Sequence, residues 1–270
     1  MMRVRKIINF LRKDTYWYDH SCSCDHILVG DDNLAVDEVY VCWVATMSVI
    51  KKAIEHDVHF IISHENCFYK EGTTLPQNIR ESKNIKKELC EKNNITIYRC
   101  HDGWDRFPKY GVCDTLNEKC GFNFLREKVE DFHSYSDIDE KYTVKEIAQK
   151  VANALNDYGC NYVELFGDEN KKIKRLGIGV GAISNTAWMY NKYCDCMILA
   201  DDGYTNWIDL QWAIDNNISC IIYHHSINEK PGIENMANYL NENISDCKFV
   251  YIDEGYSFKC ITSKMEEKII

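Results

Sequence analysis

The sequence has little proline, no long apolar run and no recognisable leader. Only three of the 270 residues are proline, which excludes long proline-rich linkers. No apolar run approaches the roughly 20 residues that a membrane-spanning helix needs. The basic, helix-patterned segment 1–13 lacks the longer apolar core and the small-residue cleavage site of a signal peptide. We therefore expect a cytoplasmic protein that does not act at a membrane.

The charge pattern also lacks the features of a nucleic-acid-binding protein. The chain carries 42 acidic against 32 basic residues, a net charge of −10. No long basic run interleaves with aromatic residues, as nucleic-acid-binding surfaces commonly show. The expected partners are therefore a small-molecule substrate or cations, and nucleic acid is not expected among them.

Cysteine, by contrast, is abundant, with 14 residues. Cys22-x-Cys24 and Cys194-x-Cys196 have one intervening residue, whereas a zinc knuckle has two to four. We interpret most of the cysteines as reduced core residues. Metal half-sites at the Cys-x-Cys pairs, and a nucleophilic Cys67 close to His64, are the alternatives.

The chain is long enough for a substantial core, and its pattern is of the α/β class. It is 45% apolar, which allows one large domain or two lobes. Helix and strand patterns alternate in both halves, which predicts mixed sheets flanked by helices. The polar segment 131–142 shows no periodicity, so we place a boundary there, between an N-terminal lobe (1–130) and a C-terminal lobe (131–270). One intertwined domain is the alternative.

Two distant segments resemble each other. Segments 53–65 and 213–225 align without a gap at an offset of 160. Each contains a helix end, a polar turn, an apolar strand and then side chains of the metal-ligand type. We interpret this match as an internal duplication, with two lobes related by a pseudo-twofold axis and a metal cleft between them. A chance similarity of two α/β segments is the alternative.

Histidine and carboxylate residues follow three of the predicted strands. Two of the motifs have an i, i+4 spacing, which places both side chains on one face of a helical turn. Imidazole and carboxylate groups are ligands for zinc, manganese or iron(II). Since strand ends in α/β proteins converge on one site, we expect two divalent ions that share a bridging carboxylate. Ordinary loop residues are the alternative. The candidate residues are His64, Glu65, His101, Asp105, His225 and Glu229.

Two motifs near these residues have more than one interpretation. Gly177-x-Gly179-x-Gly181 follows a strand but lacks the G-x-G-x-x-G spacing of a dinucleotide site. Tight turning and close helix packing explain it better, and a nucleotide cradle is the alternative. Asp201-Asp202 forms either a turn or an acidic pair that faces the metal cleft.

The sequence after Glu229 predicts a break in the helical structure. Pro231 and Gly232 are helix-breaking residues, so they predict that the turn holding His225 and Glu229 is short. The final helix is then expected to begin at Gly232.

Five segments, taken in order, resemble the Nif-three-like dinuclear-metal family, whose members are called GTP cyclohydrolase I type 2 homologues. The resemblance covers most of the chain, roughly from Asp32 to the C-terminus, and the ordered set is fairly specific. The segments are 32–34, 61–65, 98–105, 177–181 and 225–229.

The resemblance implies a set of metal ligands. His64, Asp105, His225 and Glu229 match ligand positions of the family pattern. Glu65 stands where the family has a second histidine, so its carboxylate becomes the fifth ligand. A carboxylate makes the site harder and more anionic, which shifts the preference from zinc toward iron or manganese.

The resemblance also implies an activity and an assembly. It implies a metal-dependent hydrolase of the GTP cyclohydrolase I type 2 kind, which acts on a purine nucleotide-like substrate. His101 is then a catalytic residue that shuttles a proton, or a further ligand. The implied assembly is a ring-shaped homohexamer with metal sites facing an internal cavity. A non-catalytic, metal-binding hexameric scaffold or interaction protein is the alternative.

Overall fold

The computed structural model describes residues 1–15, 17–21, 24–69, 75–184, 186–203 and 207–261. Up to residue 120 these residues form six strands and five helices. In chain order they are β1 (Met2–Arg3), α1 (Val4–Lys13), β2 (Ile27–Val29), β3 (Ala35–Val36), β4 (Glu38–Cys42), α2 (Met47–Glu55), β5 (Phe60–Ser63), α3 (Gln77–Lys92), β6 (Thr96–Arg99), α4 (Asp102–Asp105) and α5 (Val112–Cys120).

The rest of the described chain continues the alternation. Two short 3₁₀ turns, Asn156–Tyr158 and Gly181–Ile183, join its elements. The regular elements are β7 (His133–Asp137), α6 (Val144–Leu155), β8 (Glu164–Phe166), β9 (Arg175–Gly179), α7 (Thr186–Asn191), β10 (Cys196–Ala200), α8 (Trp207–Asp215), β11 (Ser219–Tyr223), α9 (His225–Asn243) and β12 (Lys248–Tyr251).

Ten of the strands form two mixed sheets. The first has the order β12-β4-β5-β6-β2, with only β2 antiparallel to its neighbour. The second has the order β7-β9-β10-β11-β8, with β7 and β8 antiparallel at its two edges. Helix α9 packs against α5, β4 and β12. The predicted α/β class, with mixed sheets flanked by helices, is confirmed.

The two sheets share one connectivity. In the first sheet, β4, β5 and β6 are parallel and lie in chain order, and the earlier strand β2 pairs antiparallel with β6. In the second sheet, β9, β10 and β11 are arranged in the same way, and the earlier strand β8 pairs antiparallel with β11. Thus β5 corresponds to β10, and β6 corresponds to β11. The alignment at an offset of 160 pairs β5 with β11 and is therefore wrong. Buried parallel strands all read as similar apolar runs, so apolar composition alone does not identify equivalent strands.

The corrected correspondence relates the two i, i+4 motifs. His101 and Asp105 follow β6, and His225 and Glu229 follow β11. In each sheet, the third of the three parallel strands is therefore followed by the same histidine-plus-acid motif. The pseudo-twofold relation of two lobes stays a prediction. Strand β12, from the second half, lies beside β4 at the edge of the first sheet and so links the halves.

The polar segment 131–142, where the sequence analysis places a boundary between lobes, contains regular structure, and the boundary itself stays a prediction. It contains β7, which pairs with β9 along the edge of the second sheet. Its inward positions hold serines rather than apolar residues. Ser134 accepts a 2.8 Å hydrogen bond from Asn117, and Ser136 donates to the carbonyl of Phe122. Because hydrogen-bonded serine hydroxyls stand at the inward positions, the strand shows no apolar periodicity in the sequence.

The predicted break at Pro231 and Gly232 is also wrong. Helix α9 begins at His225 and continues through both residues. The carbonyl of Gly232 accepts a 2.8 Å hydrogen bond from the Trp104 indole, and a Cβ at Gly232 would meet the Val112 backbone at 2.6 Å. Tertiary contacts therefore hold the helix through residues that would end it in isolation.

The cysteines behave as predicted. Of the thirteen cysteines in the described residues, all except Cys24 and Cys260 are buried. Within the same residues, no helix is long and apolar enough to cross a membrane.

Candidate metal centre

The structure brings all six predicted residues together at the carboxyl ends of β5, β6 and β11. Their ligand atoms form two groups, and the three atoms of each group lie within 4.8 Å of one another. The first group is His64, His101 and Asp105, and the second is Glu65, His225 and Glu229.

His64 is the most buried member of the first group, with no exposed surface. The backbone carbonyl of Cys100 lies 2.9 Å from Nδ1, so Nδ1 carries a proton and donates it. Nε2 faces two carboxylates, at 3.2 Å from Asp105 Oδ1 and 3.3 Å from Glu229 Oε2. Burial acts to lower the pKa of His64, but the charges of Asp105 and Glu229 outweigh it and raise the pKa to about 10.

Glu229 joins the two groups. Its Oε1 lies 2.9 Å from His225 Nε2, while Oε2 faces His64 and accepts a 2.8 Å hydrogen bond from the Trp43 indole. Burial acts to raise the pKa of Glu229, but His225 and His64 together hold it well below its usual range. The carboxylate is thus ionised and placed where a bridging ligand would lie.

The two oxygens of Glu65 have different surroundings: one contacts the Arg99 guanidinium and the other faces the cleft. Oε2 accepts a 3.1 Å hydrogen bond from Arg99. Oε1 lies 3.3 Å from His101 Nε2 and 3.7 Å from His225 Nε2. Burial acts to raise the pKa of Glu65, but His101 and His64 lower it to about 2. Arg99 therefore holds the carboxylate with one oxygen turned into the site.

Three buried polar atoms of the two groups make no hydrogen bond of acceptable geometry: His64 Nε2, Asp105 Oδ1 and His225 Nε2. Carboxylate oxygens nevertheless lie 2.9–3.3 Å from the two imidazole nitrogens among them. Buried polar atoms are nearly always paired, so three unpaired ones at a single site call for an explanation. A divalent cation would satisfy them, since imidazole nitrogen and carboxylate oxygen are its common ligands. The residues present therefore fit a metal centre.

Asp201 and Asp202 follow β10 and act on the neighbouring histidines. Asp202 Oδ2 lies 2.9 Å from His225 Nδ1, which turns Nε2 toward Glu229. Asp201 accepts from the backbone N–H of His225 at 2.9 Å and lies 2.8 Å from His224 Nδ1. The acidic pair thus belongs to the site and orients its histidines.

Gly181, the last residue of the glycine motif, lies directly against the site. It has φ +53°, and a Cβ there would lie 2.5 Å from Glu229 Oε1 and 2.9 Å from His225 Nε2. A side chain would occupy the space directly in front of both ligand atoms. At Gly177 and Gly179 a Cβ would instead meet Met189 and Ser184, so these glycines permit close packing of the chain.

The family model described as Duf34/NIF3 (NGG1p interacting factor 3) matches residues 2–255. The chain belongs to the NIF3 family.

Known proteins match this chain over most of its length. A GTP cyclohydrolase 1 type 2 homolog from Clostridium acetobutylicum is 26% identical over 223 residues, which are 79% of this chain and 80% of the relative. The crystal structure of a Bacillus cereus protein related to NIF3 has a TM-score of 0.79 at 12% identity and covers 96% of this chain and 99% of its own. A Staphylococcus aureus hypothetical protein has a TM-score of 0.78 at 20% identity, with the same coverage. At these identities the two structures show a shared fold.

Reasoning from the sequence missed two residues of this NIF3 protein's site, Trp43 and Arg99. Their contacts with the glutamates join residues far apart in the chain and are visible only in the structure. Asp202 and Gly181 lie where the sequence had offered an acidic pair facing the cleft and a glycine motif after a strand. Cys67 lies outside the site chemistry, since burial raises the pKa of its thiol to about 12 and disfavours a reactive thiolate.

Proposed function

We propose that this NIF3 protein is a metal-dependent hydrolase of the GTP cyclohydrolase I type 2 kind, acting on a purine nucleotide-like substrate. The observation that carries the proposal is the position of Glu229 between two groups of ligands, with His64 Nε2 and His225 Nε2 both turned toward it. The name of the clostridial relative supports the substrate class.

The chain's residues divide between two cation positions. His64 and Asp105 would hold one divalent ion, Glu65 and His225 would hold the other, and Glu229 lies within reach of both positions. Divalent ions bound there would supply a hydroxide nucleophile near neutral pH.

His101 supplies the proton in this proposal. Burial acts to lower its pKa, but Asp105 and Asp102 raise it well above the usual range, which favours the protonated ring. Nδ1 donates to Asp102 Oδ1 at 2.7 Å, which fixes the ring. Nε2 points into the cleft, 3.3 Å from Glu65 Oε1, and donates its proton to the substrate atom that becomes negatively charged.

Substrate reaches the site from one side. The side chains of Asp105 and Glu229 are 3% and 2% exposed, whereas those of Glu65 and His101 are 22% and 20% exposed. The buried carboxylates thus form the floor, and Glu65 and His101 line the opening.

Metal content and activity measured together test the proposal. We expect about two divalent ions per chain in metal-replete, reduced wild type, together with hydrolysis of GTP. Asp105→Asn loses one ion and Glu229→Gln loses both, and each loses activity. Glu234→Gln is the matched control, since Glu234 is on the same helix but accepts from Tyr158.

Two results would contradict the proposal. Fewer than about 0.2 ions per wild-type chain would exclude a resident metal centre. Two retained ions without hydrolysis of any purine nucleotide would favour the non-catalytic metal-binding scaffold.

We also propose that the chain self-associates, as the family resemblance implies for a homohexamer. Large apolar side chains on α8 support this, because Trp207, Ile208 and Ile214 are each more than half exposed. Sedimentation equilibrium measures the assembly directly, and a monomeric protein at micromolar concentration would contradict this proposal.

A further inference from the structure

Beside the proposed centre lies a third group of potential ligands, which includes a thiol. The atoms of Cys24, His101 and Asp102 lie within 4.8 Å of one another. We propose that they form a separate site for a thiophilic divalent cation such as zinc. The site goes beyond the proposed hydrolase function and shares only His101 with it, through Nδ1, while Nε2 faces the central cleft.

Cys24 differs from the other cysteines in both access and setting. Among the described cysteines only Cys24 and Cys260 are not buried, and the other eleven are core residues. Cys24 Sγ lies 3.3 Å from Asp102 Oδ1, and the same oxygen lies 2.7 Å from His101 Nδ1. Sulfur, nitrogen and oxygen donors thus converge on one point, which is a ligand set that suits zinc.

Asp25 fixes this arrangement in place. Its carboxylate is buried and accepts from the backbone N–H of His101 at 2.8 Å and of Gly103 at 3.2 Å. A Cβ on Gly103 would lie 2.9 Å from Asp25 Oδ2, so a side chain there would crowd this contact. The segment carrying Cys24 is thereby fastened to the end of β6.

The two oxygens of Asp102 have different partners. Tyr18 donates to Oδ2 at 2.8 Å and leaves Oδ1 facing Cys24 and His101. Tyr18 therefore orients the carboxylate, as an outer hydrogen-bond partner commonly does for a metal ligand.

Binding of the cation displaces two protons. The Cys24 thiol and the Nδ1–H of His101 each release one proton, and the sulfur and nitrogen lone pairs then bind the cation. His101 keeps its proton on Nε2, 3.3 Å from Glu65 Oε1. A liganded histidine whose other N–H faces a carboxylate is the usual arrangement at zinc sites.

Cobalt(II) provides a spectroscopic test, because cobalt bound to a thiolate gives an ultraviolet charge-transfer band that nitrogen and oxygen ligands do not give. The metal-free full-length chain is titrated with cobalt under a non-thiol reductant. We expect the band to reach the intensity of one thiolate-bound cobalt per chain, with any further cobalt taken up by the central site without adding to the band. Cys24→Ser should abolish it and Asp102→Asn should weaken it, while Cys260→Ser, at the other cysteine that is not buried, should leave it unchanged.

Glu229→Gln separates this proposal from the proposed function, since it removes the shared ligand of the central site but none at Cys24. We expect the band to persist in that variant. Absence of the band in wild type, or its survival in Cys24→Ser, would overturn the thiolate site whatever the outcome at the central site. A band lost equally in Glu229→Gln would show that it belongs to the central site instead.

Discussion

The indole of Trp43 donates a 2.8 Å hydrogen bond to Glu229 Oε2, the oxygen that also faces His64 Nε2. Trp43 follows β4 of the first sheet, and Glu229 lies on α9, which follows the second sheet. The contact therefore ties the two halves of the chain at Glu229, the proposed shared ligand. It also fixes which oxygen of Glu229 faces which histidine.

Trp43→Phe tests this role. Phenylalanine keeps an aromatic ring near Tyr256 and His225 but cannot donate to Glu229. We expect metal affinity to fall by about 10–100-fold, as for other outer-shell partners of metal ligands. Chelator competition measures the affinity, and circular dichroism checks that the variant folds. Unchanged affinity in a folded variant would show that the hydrogen bond does not matter for binding.

Gly181→Ala tests the space in front of His225 and Glu229. Its Cβ would lie 2.5 Å from Glu229 Oε1, so we expect loss of the ion held with His225. Gly121→Ala is the matched control, because Gly121 also has a positive φ (+70°) but nothing within 4 Å of its Cβ position.

Both alanines adopt a left-handed conformation, so each is expected to lose roughly 1–2 kcal/mol in the free energy of unfolding. Only Gly181→Ala should lose metal in elemental analysis. Equal metal content in the two variants would rule out the steric explanation.

Lys230 and Glu254 form a buried ion pair behind the site. Nζ of Lys230 lies 3.0 Å from Glu254 Oε1, and neither side chain has exposed surface. Lys230→Met leaves Glu254 without its partner and is expected to cost about 3–5 kcal/mol in urea unfolding. Lys230→Met combined with Glu254→Leu should recover most of this loss. A double variant as unstable as the single one would show that the charge of Glu254 is not the cause.

The buried His133 is expected to make the free energy of unfolding fall at acidic pH. Burial is the main cause that lowers its pKa below 6.5, and its Nε2 donates to the Ile183 carbonyl at 2.7 Å. Because the unfolded chain binds the proton more readily, this contribution to stability is complete above about pH 6.5 and is lost as pH falls toward the lowered value. His133→Gln should flatten the unfolding free energy over that interval. A slope identical to wild type would assign the acid sensitivity to other groups.

Local patterns in the sequence were sufficient to find the six candidate ligands. The i, i+4 spacing places His101 and Asp105 on one face of a helical turn wherever that turn lies in the fold, and the same holds for His225 and Glu229. Strand ends in an α/β fold converge, which accounts for His64 and Glu65. The equivalent strands of the two sheets could not be identified from the sequence. Strands β5 and β11 are both buried apolar runs with similar sequences, although they occupy different positions in their sheets.

The sequence by itself determined the fold class, the buried cysteines and the residue types at the site, because periodicity and the spacing of neighbouring residues are local properties of the chain. Only the tertiary structure decided which oxygen of Glu229 faces His64, that Arg99 holds Glu65, and that Asp25 brings Cys24 to His101. It also decided that α9 runs through Pro231. These outcomes rest on contacts between residues far apart in sequence, whose packing and hydrogen bonds outweigh local propensity.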